Sequence, residues 1–215
     1  MRAAQPKGLR GSLKWIQAAV SLRPDLLQPA GLKPVEWVSP IESDAYAEYR
    51  DEAFLELLGL EHFATSLADF WPRRGPQWDA LGLTEDGCVL VEAKAHVGEF
   101  FTPPSAAGAT SQAKIARAFE AVRIDLGIET TVPWDTVFYQ YANRIAHLWW
   151  LRQMGVDAKL LFVSFLDDDE MGGPAHAETW QAVFSAADYV LGLSGRHALK
   201  PHILHVMPSV RDIPG

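Results

Sequence analysis

Cysteine is nearly missing from this chain: Cys88 stands alone among 215 residues. An intrachain disulfide is therefore excluded, and a reducing, cytoplasmic setting suits the sequence. No apolar run approaches the roughly 20 residues that span a bilayer, so no membrane association is expected. Near the N-terminus Gln17, Ser21 and Arg23 interrupt what would have to be the apolar region of a signal peptide. Glycines never fall into G-x-x-x-x-G-K-[ST], G-x-G-x-x-G or G-x-S-x-G, so nucleotide-binding loops and the serine-hydrolase elbow have no support. Cys88 has no neighbouring histidine in sequence and is no nucleophile candidate. Repeats, heptads and low-complexity tracts do not occur. Basic residues are the scarcer charge, 19 Lys and Arg against 27 Asp and Glu, for a net −8. Phosphate contacts dominate nucleic-acid affinity, so this balance works against tight unassisted binding. It leaves room for an enzyme with a local basic surface.

With 48% hydrophobic and 21% charged residues, the chain reads as one globular domain. Residues 1–40 form an N-terminal helix and irregular arm, and 41–215 the core with C-terminal additions. The first 24 residues hold Arg2, Lys7, Arg10, Lys14 and Arg23 and no acid. They read either as an arm that touches phosphate or as a soluble, partly frayed terminus. Residues 12–22 predict a short helix, and prolines 24, 29, 34 and 40 an irregular connection. A helix is expected from Ser43 or Asp44 to about Leu58, stopped by Gly59. Glu48, Glu52 and Glu56 line one of its faces.

Residues 98–110 predict a mobile loop, and 111–126 a helix whose Lys114, Arg117 and Arg123 form a lid or a solvated face. A longer helix is expected from about Trp134 to Met154. Gln140, Asn143, Arg144 and His147 form a polar stripe on it, spaced i, i+3, i+4 and i+7. A stripe of hydrogen-bonding groups without a carboxylate suits an anionic ligand. Lys159–Leu166 is a near-continuous apolar run, expected as a central strand. The acids Asp167–Glu170 after it read as a turn, with a metal role as the alternative. Residues 176–191 predict a helix and 202–207 an edge strand. His202 and His205 fall on opposite faces of that strand, against a zinc pair.

The most informative stretch is Gln77–His96, QWDALGLTEDGCVLVEAKAH. Thr84-Glu85-Asp86-Gly87 separates two β-favouring runs, which predicts a hairpin with Leu83 opposite Cys88. Leu81 then faces Leu90 and Asp79 faces Glu92, with Lys94 on the same side. Val89, Val91, Ala93 and Ala95 pack on the other side. Facing carboxylates repel, and a divalent cation removes the repulsion. Asp79 and Glu92 offer hard oxygen ligands to Mg²⁺ (or Mn²⁺). Lys94 is suited to holding a water or to countering charge on a phosphate. These residues suggest a metal-assisted phosphodiester hydrolase. An ordinary cross-strand Glu–Lys pair on a solvated face is the other reading.

Asp79, twelve intervening residues and Glu92-Ala93-Lys94 on a hairpin resemble the PD-(D/E)XK nuclease superfamily. Trp78 stands where that pattern often has proline. The resemblance covers roughly residues 44–166. It implies an α/β fold, a mixed central sheet flanked by helices, with the restriction-endonuclease-like αβββαβ core and extra helices. A first strand near Thr65–Trp71 would follow. The resemblance also implies catalytic roles for Asp79, Glu92 and Lys94, and metal ligation by Asp79, Glu92, the Ala93 carbonyl and Glu52, with Glu48 in reserve. Gln140 and Arg144, with Asn143 beside them, would contact substrate. DNA is the expected partner by family frequency, cut by a homodimer or with a partner protein supplying basic surface. A non-catalytic nuclease-like binding or assembly module is the alternative.

Overall fold

The computed structural model describes residues 1–214. In chain order its regular elements are β1 (Arg2–Ala3), α1 (Gly11–Leu22), β2 (Glu36–Ser39), β3 (Glu48–Tyr49), α2 (Glu52–Leu57), α3 (Ala64–Phe70), β4 (Ala80–Leu83), β5 (Gly87–Lys94), α4 (Ala109–Leu126), α5 (Tyr139–Gln153), β6 (Asp157–Ser164), α6 (Ala177–Leu191) and β7 (Ile203–Val206). Short 3₁₀ turns join several of them. β2, β4, β5, β6 and β7 form one sheet in that order. β2–β4 and β4–β5 run antiparallel, β5–β6 and β6–β7 parallel. The parallel step from β5 to β6 needs a long crossover, which α4 and α5 provide. The fold is therefore a mixed α/β sheet flanked by helices, as the sequence predicts.

Side-chain alternation on β5 separates two apolar layers. Val89, Val91, Ala93 and Ala95 bury against Trp15, Ile16 and Ala19 of α1, joined by Val210 and Ile213. Cys88 and Leu90 face the other layer with Leu81, Phe162 and the inner sides of α4, α5 and α6. The hairpin has the predicted register: Leu83 opposite Cys88 and Leu81 opposite Leu90. Gly87 begins β5 where a Cβ would collide with the backbone carbonyl of Asp157, so the parallel neighbour needs a glycine there.

Three expectations need correction. The helix over 43–58 is broken: Ala45, Tyr46 and Asp51 have positive φ of 51°, 47° and 53°, and only α2 survives. Between them, Glu48 and Tyr49 pair as a strand with Ala3 and Arg2. The N-terminal arm is thus docked, with Arg2 bound to Asp44. Thr65–Trp71 lies mostly in the helix α3, because Leu67 and Trp71, four apart, both turn inward. The sheet position expected of that segment belongs to β2, within the proline-rich connection. Finally, α5 starts at Tyr139, after Phe138 with φ 51°. Trp134 is buried before it, donating from Nε1 to the Leu191 carbonyl at 3.1 Å.

Candidate active site

The site forms where β4 ends and β5 continues. Asp79 directly precedes β4, and its main-chain N–H still donates to the Val91 carbonyl. Beyond Ala80 there is no β4 partner for Ala93, so the Ala93 N–H is free to donate to Asp79 Oδ2 at 2.7 Å. A strand residue sends its N–H and C=O to the same edge, and Lys94 sends its carbonyl the other way, to Phe165 on the β6 side. The Ala93 carbonyl therefore projects to the edge where Asp79 lies. Glu92 and Lys94 share a face of β5 and form an ion pair.

Glu92 is buried and doubly held. Arg144 crosses from α5 to place Nε 2.5 Å from Glu92 Oε2, while Lys94 engages Oε1. Burial works against its ionisation, but Arg144 and Lys94 outweigh it and keep the carboxyl below its ordinary range. Burial also opposes the Lys94 charge; Glu92 and Asp79 overcome it and hold the ammonium protonated. Asp79 differs. It retains some solvent exposure and forms no ion pair among the described residues, although the Lys94 charge reaches it. The protein around it, then the charge of Glu92, push its carboxyl up to about 8.

Glu48 is the third acid. It is buried on β3, accepts from Gln77 Nε2 and from Gln5 Nε2 (2.9 Å), and is raised by burial and by Glu92 against those two hydrogen bonds. Glu52, expected as the helical metal ligand, is exposed on α2 and lines a separate pocket. The reserve residue Glu48 is the one that stands within electrostatic reach of Asp79. An i, i+4 helical reading misses the switch to a strand at Glu48. Gln5 and Gln77 carry no signal in the sequence that ties them to this site.

Of the polar stripe of α5, Gln140 and Arg144 reach Glu92, but Arg144 and Asn143 are already engaged within the protein. Arg144 is 2% exposed; Nη1 donates to Asn143 Oδ1 at 2.9 Å and Nη2 to the Gln77 carbonyl at 2.8 Å. Its guanidinium also lies 4.9 Å from the Trp78 ring centre. Arg144 thus has each nitrogen committed inside the protein, and buried Asn143 orients it. Neither offers a free edge to substrate. Gln140 does: with Glu92, Lys94 and Phe100 it lines a crevice of about 10 Å³, about the space of one water.

The three cations of α4 all donate to main-chain carbonyls, Arg117 to that of Ala113 within its own helix. Lys114 donates to the Ala68 carbonyl and Arg123 to the Thr130 carbonyl. The acidic turn after β6 is structural. Asp168 is buried and accepts from Trp15 Nε1 at 2.8 Å, and Asp167 accepts from Ser209 at 2.6 Å.

Among the described residues no three His, Cys, Asp or Glu side chains gather as a closed metal cage. The oxygens that could hold a divalent cation here are those of Asp79, Glu92 and the Ala93 carbonyl, the donor type that suits Mg²⁺, although Lys94 and Arg144 occupy both oxygens of Glu92. A cation there would take the place Lys94 holds at Glu92 Oε1. Comparisons with protein-family models, curated proteins and solved structures gave no match. No helix among the described residues is long and apolar enough to cross a membrane.

Proposed function

We propose that this chain is a Mg²⁺-dependent phosphodiester hydrolase of the PD-(D/E)XK type, acting on DNA. The observation that carries the reading is that Asp79, which forms no ion pair among the described residues, is bonded to the Ala93 N–H between the paired Glu92 and Lys94. Asp79, Glu92 and the Ala93 carbonyl would hold Mg²⁺ (or Mn²⁺), whose charge would offset the negative charge developing on the phosphate. Lys94, kept protonated by its acidic neighbours, donates hydrogen bonds to the attacking water or the phosphate; in that state it is not the proton acceptor. Gln140 borders the same crevice and orients the water or a phosphate oxygen. Arg144 acts behind Glu92, holding it ionised and fixed, so its part is to position a ligand residue rather than bind substrate.

A second reading rests on the same ion pairs. Glu92 already has two cationic partners, which suits a non-catalytic nuclease-like binding or assembly module. Cleavage assays on linear and plasmid DNA with Mg²⁺ or Mn²⁺, run beside calorimetry of metal binding, separate the two. Metal uptake lost in Asp79→Asn and cleavage lost in Lys94→Met support the hydrolase. Failure of metal uptake and of cleavage in the unaltered chain leaves the module.

A further inference from the structure

A second cavity is lined by none of Asp79, Glu92 and Lys94. It measures about 390 Å³ and is lined by Glu52, Ala64, Leu67, Trp71, Arg73 and His147, among others, within the size range of small-ligand pockets. Its polar floor is His147, 1% exposed. The ring Nδ1 lies 2.8 Å from the Asn143 carbonyl. A carbonyl can only accept, so Nδ1 carries the proton and Nε2 presents a lone pair. Among the described residues nothing donates to Nε2. Burial holds the ring neutral down to about 3, so that acceptor persists throughout the physiological range.

Gly75 lies beside the Nε2 end of the ring. A Cβ there would stand 3.5 Å from His147 Nε2 and 3.3 Å from both Asp51 Oδ1 and Trp71 Cδ1. An acceptor to which no protein group donates is left for water or a ligand to satisfy. The walls near it, Leu67, Ala64 and Trp71, are apolar. At the mouth, Arg73 and Glu52 are exposed and have no ion-pair partner among the described residues. The ligand that matches has a flat, largely apolar body with an N–H donor at its inner end, and hydroxyls and an anionic group at its outer end.

We propose that this pocket binds a nucleotide unit: the base enters against Trp71 with an N–H donating to His147 Nε2, and the phosphate meets Arg73. Glu52 accepts from a sugar hydroxyl, while Asp51 is held by the Arg74 and Gly75 N–H groups. The choice of a nucleotide among N–H-bearing ligands rests on the phosphodiesterase reading; the pocket itself does not. A free nucleotide and an unpaired nucleotide within a strand present the same chemistry.

The test is calorimetry in EDTA, without cleavage, using the four deoxynucleoside monophosphates, a short single strand and a blunt duplex. Binding of at least one mononucleotide is expected, weakened roughly tenfold or more in His147→Phe and in Arg73→Ala. Arg73 is exposed, so its variant keeps the test valid if His147→Phe fails to fold. Competition by the single strand assigns the pocket to a nucleotide within a strand; lack of competition assigns it to free nucleotides. No binding of any probe overturns the proposal, as does binding that both variants retain, or that is lost in Asp79→Asn alone. Because metal is removed, a chain that never cleaves DNA can still bind here, and a chain that cleaves can still fail this test.

Discussion

Arg144 and Glu92, fifty-two positions apart, meet in the interior with Nε 2.5 Å from Oε2. The contact joins the crossover helix α5 to the central strand β5 at the level of the candidate site. Each charge is viable there because the other is present.

Removing one partner should therefore be severe. Arg144→Met leaves Glu92 with Lys94 alone and orphans the Gln77 carbonyl and Asn143 Oδ1. A loss of about 3–5 kcal/mol is expected, read as a lowered urea midpoint. Retention of the wild-type midpoint would show that Lys94 and solvent suffice.

The Asp79 carboxyl should set a pH dependence of opposite sign to that of a typical acid. Its folded value, about 8, lies above the ordinary 3.8. Between those limits the folded state binds a proton that the unfolded state has released, so its contribution to stability falls as pH rises. Asp79→Asn, whose amide oxygen can still accept from Ala93, should gain on the wild type between pH 4 and 8 and match it near pH 4. Denaturation curves across that range check this, and parallel curves for the two proteins contradict it.

Divalent metal should reverse the Asp79 effect. With Mg²⁺ or Mn²⁺ near pH 8 the melting temperature of the wild type should rise, because a ligand that binds only the folded state stabilises it. Asp79→Asn should show no rise, and EDTA should cancel it. In the same preparations Lys94→Met should lower any cleavage rate about 100-fold or more, with its fold intact by circular dichroism.

The Trp15–Asp168 hydrogen bond ties α1 to the turn after β6. Trp15→Phe leaves a buried carboxylate without its donor and should cost about 1–3 kcal/mol. Asp169→Asn, on an exposed neighbour, should leave the unfolding midpoint in place. Thermal melts of the pair compare the two directly.

The hairpin and its register were legible because a four-residue turn fixes which residues oppose, and alternation then decides every face. The sides of Asp79, Glu92 and Lys94 follow from Leu83 opposite Cys88 alone. Apolar periodicity likewise locates α4 and α6 closely, and a near-continuous apolar run locates β6. The stretch from Asp44 to Leu58 has a helical pattern that puts Glu48 on a helix, while its conformation depends on left-handed residues and on a strand supplied by Arg2 and Ala3 from the far N-terminus. No local rule reports that pairing. The polar stripe of α5 was legible as a stripe, but its spacing could not tell an anion in solution from Glu92 inside the protein. Both answer the same guanidinium.

β5 is clasped by β4 on one edge and β6 on the other, with α1 beneath it and α5 above. Its amide protons should consequently be among the last to exchange with deuterated solvent. The acids ride at the C-terminal end of this strand, whereas Glu85 and Asp86 turn the chain in the open at the other. A fluorophore or short epitope grafted into that turn would sit a full strand length from the chemistry and could serve as a handle that leaves the site undisturbed.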